Sequence, residues 1–265
     1  MSGSMMGTVG RTGVLVLTVA VLAACTEGEA DTGSADAGGT RHATGAGALL
    51  QLQAETGQSS IIQDDSNDLL GPAQTRDSIT VDDLGFDRGD TAAAVKVLEF
   101  SDFGCGYCRT FHMDILETLD EEYMQKGTVL WKQIPFVMGN WANSVPASLG
   151  AECARDQGEF SDMSHALYER QADWKNVSKE EADAVVRDIA EGTGADMDAW
   201  DTCMSLDENL WRLQAHTRLA RQVGVRSTPT FFVVGYTPIQ GALPIELFRE
   251  VLDTVLVLAA QNAGG

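Results

Sequence analysis

The fold of this chain is decided by the stretch at residues 97–108, VLEFSDFGCGYC. It continues a β-branched, mostly apolar run that begins at Val95, which predicts a strand buried on both faces. A helix is expected to begin at about Cys105, because apolar residues recur at helical spacing from there to Lys126-Gly127, a cation followed by a glycine. A second strand at Val129–Ile134 then completes a β-α-β unit, which implies parallel strands and a right-handed crossover.

Cys105 and Cys108 are separated by two residues and fall where the strand gives way to the helix. That spacing lets the two sulfurs close a small disulfide ring, and the helix N-terminus favours a thiolate through its free N–H groups and dipole. A stabilised thiolate is a good leaving group, which makes the disulfide more oxidising. We assign Cys105 as the more exposed nucleophile and Cys108 as the buried, resolving thiol. The redox group is the disulfide itself, so no metal or organic cofactor is expected.

Two other interpretations of this cysteine pair are a static disulfide and half of a zinc site. Zinc requires two further ligands at the usual spacing. The sequence has no second CxxC, and His112, His165 and His216 show no paired-ligand pattern. The pattern therefore favours redox chemistry.

The remainder of the chain predicts a helical block followed by a return to the sheet. Residues 143 to about 222 are expected to be mostly helical. A third strand is predicted at Thr230–Val234, with Ile239–Ala242 as its hairpin partner. A final helix is expected from Pro244 to Ala259, with proline in its first turn, and Ile79–Val81 is expected to form a short edge strand.

The stretch at 97–108 resembles the active-site segment of the DsbA-like branch of the thioredoxin superfamily, and GVRSTPTFF at 224–232 resembles that family's cis-proline loop. The resemblance covers roughly residues 78–260. It implies an α/β protein, with a thioredoxin fold and an inserted helical domain, that acts as a thiol:disulfide oxidoreductase. The expected boundaries are 78–142 and 224–265 for the thioredoxin-like domain and 143–223 for the insertion.

By position, the resemblance makes Pro229 the cis-proline and Thr228 the residue before it. In this family the loop pairs with the backbone of an extended substrate beside the attacking sulfur, as an added strand does. Tyr107, between the cysteines, is expected to border the same groove and to contact apolar side chains of the substrate. The alternative for Pro229 is a trans proline that begins the next strand.

Glu99 falls where family members carry a buried acid beneath the second cysteine. Such a carboxylate could carry a proton to or from Cys108. The alternatives are a charge at the edge of a strand or an ion-pair partner for Lys96 or Lys132.

The direction of electron flow is open at the level of sequence. Strongly oxidising DsbA proteins usually have Pro-His between the cysteines, whereas this chain has Gly106-Tyr107. That dipeptide, with Thr228 before the cis-proline, is similar to the disulfide isomerase DsbC, although residues 26–77 do not resemble that family's dimerisation domain. We expect an oxidase; the alternative is an isomerase or reductase that uses the same residues. A second alternative, from another class, is a lipoprotein that binds a peptide or a metal without redox chemistry.

Cys153 and Cys203 both fall in the predicted helical insertion. Many DsbA-like proteins have cysteines at similar positions, so the resemblance implies a structural disulfide that staples the insertion. Two buried free thiols are the alternative, which an oxidising compartment disfavours.

Residues 1–25 are typical of a secretion signal. Arg11 precedes an apolar run at Val14–Ala24 that is too short to span a bilayer. Leu22-Ala23-Ala24-Cys25 resembles a bacterial lipobox, which implies cleavage before Cys25 and lipidation of its thiol; the alternative is an ordinary signal peptide with a chance cysteine. Residues 26–77 are rich in small and acidic residues and predict a flexible linker.

The partners follow from charge and from the resemblance. A formal net charge of -21 argues against a nucleic-acid partner, because phosphate binding needs a basic surface. The resemblance implies cysteine-bearing secreted or periplasmic proteins as substrates and a quinone-linked membrane protein, DsbB-like or VKOR-like, as the reoxidant. The expected location is the cell envelope, in the periplasm or on the outer surface, on a lipid anchor.

Overall fold

The computed structural model describes residue 70 and residues 80–206, 209–233 and 236–263. The predicted signal peptide, Cys25, and all of 26–77 except Leu70 lie outside these residues. Within them, no helix is both long enough and apolar enough to cross a membrane.

A five-stranded mixed sheet forms the centre of the fold, in the order β1-β3-β2-β4-β5. The central pair, β2 and β3, is parallel, with Val95 opposite Val129, as the β-α-β pattern predicts. β1 pairs antiparallel with β3, and β4 pairs antiparallel with both β2 and β5. The strands are β1 (Phe86–Arg88), β2 (Val95–Ser101), β3 (Val129–Pro135), β4 (Thr230–Val233) and β5 (Ile239–Gln240).

The helices surround this sheet, and most of them come from the stretch between β3 and β4, as predicted. They are α1 (Gly106–Asp114), α2 (Leu116–Leu119), a π-helical turn (Asp120–Met124), α3 (Ser144–Arg155), α4 (Phe160–Glu169), α5 (Gln171–Trp174), α6 (Lys179–Gly192), α7 (Met197–Ser205), α8 (Leu210–Gln222) and α9 (Ile245–Ala263).

Two local predictions are wrong. Of the edge strand expected at Ile79–Val81, the structure describes Thr80 and Val81, and these are not a strand: Thr80 caps a 3-10 turn at Val81–Asp83, and β1 lies at that edge of the sheet. The single helix expected from Cys105 to Lys126 is interrupted at Ile115, whose φ of -126° and ψ of -46° end α1. The segment nevertheless ends at Gly127, which has a left-handed φ of 68° that glycine adopts readily.

Both faces of β2 are buried, which accounts for its nearly continuous apolar sequence. Val95 and Val97 pack against α1 and α9 on one face. Leu98 and Phe100 point to the other face, where they pack against α8. Aromatic rings fill the first face, with Phe111 of α1 within 5.6 Å of the neighbouring ring centroids.

The inserted helices pack directly on the segment that carries the cysteine pair. Cys105, Cys108 and Phe103 share one buried cluster with residues of the insertion, including Tyr168 and Trp174. Within the insertion, Cys153 of α3 and Cys203 of α7 form a disulfide with an S–S distance of 2.01 Å. The disulfide that the resemblance implied is thus present, and it joins two helices that both contact α6.

Leu70 is the one residue of the predicted linker that the structure describes. Its side chain is buried against Val137, Leu149 and Leu213. Its carbonyl oxygen accepts a hydrogen bond of 3.0 Å from Nε2 of Gln214. The chain is therefore fixed to the insertion at this position, before the first turn of the domain.

Candidate active site

Cys105 and Cys108 lie at the N-terminus of α1, immediately after β2. Cys105 is the N-cap residue, with extended backbone angles, and Cys108 lies in the first turn. Both are free thiols. Cys105 is 4% exposed and Cys108 is completely buried, so the expected order of exposure holds, although Cys105 is far less exposed than the sequence suggested.

The surroundings of Cys105 and Cys108 shift the pKa values of the two thiols in opposite directions. Hydrogen bonding with Cys108 is the largest cause that lowers the pKa of Cys105, to about 6, against the opposing effect of burial. The Thr228 side chain and the N–H groups of Cys108 and Tyr107 lower that pKa further. Burial raises the pKa of Cys108 well above its usual value, and the neighbouring Cys105 adds to this. Near neutral pH the thiolate is therefore on Cys105, while Cys108 keeps its proton.

The loop before β4 closes over the attacking sulfur. The Thr228–Pro229 peptide bond is cis. The thiol of Cys105 donates a hydrogen bond of 3.3 Å to the carbonyl oxygen of Thr228. The hydroxyl of Thr228 in turn lies 3.3 Å from the sulfur of Met138. The two motifs, whose contacting residues are 123 apart in sequence, thus meet at one sulfur.

A groove of about 530 Å³ opens in front of Cys105. Its walls are mainly apolar and include Met138, Trp141 and the Thr228 loop. Tyr107 stands at its edge and is 70% exposed, where an incoming chain would meet the ring. Arg226 adds a cationic side chain to the lining. The groove has the size and polarity to accept an extended peptide beside the sulfur.

Glu99 lies on β2 and is completely buried. Its two oxygens accept hydrogen bonds from Nε2 of His112, at 2.7 Å, and from Nε1 of Trp131, at 2.8 Å. Burial would raise the pKa of Glu99, but the charge of His112 and these hydrogen bonds together hold the pKa below its usual value. Glu99 is therefore an ionised partner of His112. The suggested pairing with Lys132 is wrong, because that ammonium group binds Asp87 and the carbonyl of Leu84.

The structure also places near the thiols three residues to which the sequence assigned no role. His112 follows Cys108 by one turn of α1, and Tyr168 of α4 stacks on its ring at 4.3 Å between centroids. Burial raises the pKa of the Tyr168 hydroxyl well above its usual value, and the nearby Cys108 and Glu99 add to this. The signal that could have indicated His112 is its spacing of four residues from Cys108, which puts both on one helix face.

Asp102 is the third of these residues, and it connects three segments. One carboxylate oxygen accepts hydrogen bonds from N–H of Gly104, at 2.8 Å, and from the hydroxyl of Ser144, at 2.5 Å. The other accepts from N–H of Met138, at 3.0 Å. Burial is the main cause that raises the pKa of Asp102 to about 6. The signal in the sequence was the position of Asp102, an acidic residue directly after a strand that is mostly apolar.

Glycine is required at position 104 because the loop passes so close to the groove wall. A Cβ atom there would lie 2.6 Å from Oγ of Ser144 and 2.7 Å from Cβ of Trp141. At Gly106, by contrast, an added Cβ would meet no atom within 4 Å. Among the residues that the structure describes, no three His, Cys, Asp or Glu side chains are grouped so as to hold a metal ion.

Comparisons with known proteins agree with this arrangement. The family model described as Thioredoxin matches residues 84–254. The chain is 37% identical over 84 residues to a probable disulfide bond formation protein D of Bacillus anthracis, a match that covers 31% of this chain and 39% of that protein. It is 26% identical over 149 residues to disulfide bond formation protein D of Bacillus subtilis, covering 55% and 65% respectively. Each match spans less than two thirds of the curated relative.

Among solved structures, oxidised BdbD of Bacillus subtilis superposes with a TM-score of 0.58 at 22% identity. The superposition covers 64% of this chain and 91% of that structure. At this identity the likeness concerns the fold: a thioredoxin-like sheet with helices inserted between β3 and β4.

Proposed function

This chain belongs to the thioredoxin family, and we propose that it is a thiol–disulfide oxidoreductase that exchanges disulfides with cysteine-bearing proteins through Cys105 and Cys108. The observation that carries the proposal is the environment of Cys105, at a helix N-terminus and in hydrogen-bonding contact with Cys108 and the side chain of Thr228. That environment lowers the pKa of the thiol to about 6. The names of the two Bacillus relatives support the same activity.

The reaction begins with the Cys105–Cys108 disulfide. A substrate thiolate attacks the sulfur of Cys105, which lies at the groove, and the pair of electrons leaves with Cys108. Cys108 takes up a proton, as its raised pKa favours. A second substrate thiolate then attacks the mixed disulfide and releases Cys105 as a thiolate. The substrate has lost two electrons and two protons. The cysteine pair has gained the two electrons, one proton is on Cys108, and the other proton has gone to solvent.

The groove supplies the alignment for this exchange. An extended segment of substrate that pairs with backbone groups of the Thr228-Pro229 loop would bring its cysteine beside Cys105. Such pairing uses main-chain groups, so it accepts many sequences. Tyr107 and Trp141 would contact apolar side chains that flank the substrate cysteine.

Trapping of the mixed disulfide tests this activity. Cys108→Ala removes the resolving thiol. Its Cys105 thiolate should attack an unfolded substrate whose cysteine is held in a mixed disulfide with a small thiol, displace that small thiol, and leave the substrate covalently bound. Cys105→Ala should trap nothing, and the Cys153→Ala/Cys203→Ala double variant should behave like the parent protein in turnover. A folded Cys108→Ala variant that forms no mixed disulfide would contradict the proposal.

We infer that the direction is oxidation, because a stabilised Cys105 thiolate favours the reduced form and makes the disulfide a better oxidant. The alternative is an isomerase or reductase, which Gly106-Tyr107 and Thr228 favour. Equilibration with glutathione distinguishes them. A potential near about -120 mV corresponds to a strong oxidant, and one near about -270 mV to a thioredoxin-like reductant. Reactivation of scrambled ribonuclease without added oxidant would indicate an isomerase.

We further propose export to the cell envelope with a lipid on Cys25, and reoxidation by a quinone-linked membrane protein. The support is the lipobox-like Leu22-Ala23-Ala24-Cys25 in the sequence. The mass of the mature N-terminus tests the anchor, since an unmodified chain that starts elsewhere would contradict it. Accumulation of reduced Cys105 and Cys108 in cells without quinone would support the reoxidant.

A further inference from the structure

Asp102 occupies a position between the thiol-bearing loop and the groove wall. Its carboxylate binds N–H of Gly104 in the loop, N–H of Met138 in the wall, and the hydroxyl of Ser144 at the start of α3. Its own carbonyl accepts a hydrogen bond of 2.9 Å from N–H of Cys105, which closes a tight turn. One buried side chain thus fixes the nucleophile relative to the surface that would hold the substrate.

We propose that Asp102 is a positioning residue for Cys105, and that its carboxyl binds a proton when the Cys105 sulfur is charged and releases it when that charge disappears. This goes beyond the proposed exchange reaction and rests on it. Within this proposal, the loop and the groove wall are held together by a group whose charge depends on the redox state of the thiols.

The electrostatics of the turn support this coupling. Burial raises the pKa of Asp102 to about 6, three hydrogen bonds oppose that rise, and the charge of Cys105 adds to it. The pKa of Cys105 is itself about 6. Two acids with similar pKa values share one buried space, so the ionisation of one makes the ionisation of the other less favourable. The two titration midpoints are therefore properties of the pair.

The other titratable groups around Asp102 do not compete for this proton. Cys108 of α1 and Tyr168 of α4 face it, and burial raises the pKa of each well above the usual value, so both stay neutral. From the wall and from α3, the groups that face Asp102 are N–H of Met138 and the hydroxyl of Ser144, which do not titrate in this range. The coupling is therefore between Asp102 and Cys105.

The atoms and electrons balance in the step that reoxidises the pair. The thiolate of Cys105 attacks a disulfide of the oxidising partner, and the first partner sulfur leaves as a thiolate. Cys108 then attacks Cys105 and passes its proton to the second partner sulfur. The partner has gained two electrons, Cys105 and Cys108 share a new S–S bond, and the proton of Asp102 goes to solvent because the neighbouring negative charge is gone.

Carbon-13 NMR of the Asp102 carboxyl tests this on the full, unsubstituted chain. Its resonance is identified by its absence from the spectrum of Asp102→Asn. We expect the titration midpoint to lie at lower pH in the disulfide form than in the dithiol form, by at least about half a unit. Equal midpoints in the two redox forms would overturn the proposal.

Ultraviolet absorbance of the Cys105 thiolate gives the reciprocal measurement. In Asp102→Asn the thiol should titrate at lower pH, by about half a unit or more, which is about threefold more thiolate at a fixed lower pH. The matched control is Asp114→Asn, which removes an exposed carboxylate from α1, the helix that Cys105 caps, and should leave the titration unchanged. An unchanged Cys105 titration in Asp102→Asn would overturn the proposal.

Ser144→Ala separates charge from architecture, since it keeps the carboxyl and removes one donor to it. The midpoint of Asp102 should move to higher pH while the difference between redox forms remains; loss of that difference would count against the proposal. Failure of this proposal is distinguishable from failure of the proposed function. Successful trapping by Cys108→Ala with identical Asp102 midpoints rejects only the coupling.

Discussion

Glu99 carries a negative charge in the interior because two neighbouring side chains donate hydrogen bonds to it. His112 and Trp131 occupy both of its oxygens. Glu99→Gln replaces one acceptor oxygen with a donor amide, so the charge pair with His112 is lost and His112 stays hydrogen-bonded only as a neutral ring that accepts from the amide. Breaking a buried pair costs about 3–5 kcal/mol, and we expect a loss of this order in the free energy of unfolding at pH 7, measured by urea denaturation.

The pH dependence gives the sign of this effect. Since the folded-state pKa of Glu99 lies below its usual value of 4.5, its contribution to stability is present above that value and is lost as the pH falls. The penalty of Glu99→Gln should therefore shrink in acid. Glu117→Gln, at an exposed position on α2, serves as the control and should change little. A variant whose turnover is unchanged across pH would argue against any role of Glu99 in proton transfer.

Individual site residues differed in how far the sequence could identify them. Cys105, Cys108 and Pro229 belong to short motifs whose local geometry is fixed by their neighbours. His112 and Asp102 act through contacts between segments that lie 13 to 42 residues apart in sequence, such as His112 with Glu99 and Ser144 with Asp102. Such contacts depend on how helices pack on the sheet, which no local pattern specifies.

At the scale of secondary-structure elements, the Cys153–Cys203 disulfide holds α3 against α7. It closes a loop with a sequence separation of 50. The chain-entropy estimate for such a loop is about 4 kcal/mol. In the Cys153→Ala/Cys203→Ala double variant we expect the melting temperature to fall by about 10 °C, with the exchange activity of Cys105 and Cys108 retained at low temperature. Lost activity at unchanged stability would instead indicate a redox relay.

Helices and strands were predictable from the sequence where their apolar residues follow one regular pattern. β2 and β3 are buried along their whole length, apart from Lys96, so their apolar runs identify them. The break at Ile115 was not predictable, because the apolar spacing continues through it from Phe111 to Leu119. Ile115 and Leu116 pack into the same core, and the backbone of Ile115 stays hydrogen-bonded to Phe111 and Leu119 on either side of the break.

At the scale of the whole molecule, a buried cluster around Glu152 joins the insertion to the thioredoxin-like part. Glu152 of α3 lies 3.8 Å from Nδ1 of His216 on α8, and Nε2 of His216 accepts a hydrogen bond from N–H of Gly85. Arg155 and Arg212 lie 3.7 and 4.0 Å away. Within the described part of the chain, neither oxygen of Glu152 accepts a hydrogen bond. Burial consequently raises its pKa to about 7.

This group makes the protein less stable as the pH rises. The folded state binds the proton of Glu152 more tightly than the unfolded chain, so its contribution is full below about 4.5 and is lost as the pH rises through about 7. We expect Glu152→Gln to remove up to about 3 kcal/mol of that decline, measured as unfolding free energy across this range. Burial lowers the pKa of His216 to about 3, so this residue makes the protein more stable as the pH rises. His216 is present in both the parent protein and Glu152→Gln, so its effect cancels in the comparison.

Glu169→Gln is the matched control, because it removes an exposed carboxylate from α4. Its stability should follow the pH profile of the parent protein. A Glu152→Gln variant with the parent's slope between pH 4.5 and 7 would mean that the buried carboxyl does not titrate there.

The space around Gly106 and Tyr107 has a consequence for protein engineering. A Cβ atom added to Gly106 would have no other atom within 4 Å, and the Tyr107 side chain is largely in solvent. Proline is compatible with the first helical position, and the N–H groups that stabilise Cys105 belong to the two residues after it. A panel of dipeptides at these two positions would therefore yield a graded series of electron carriers on a single scaffold, each differing in driving force but not in shape.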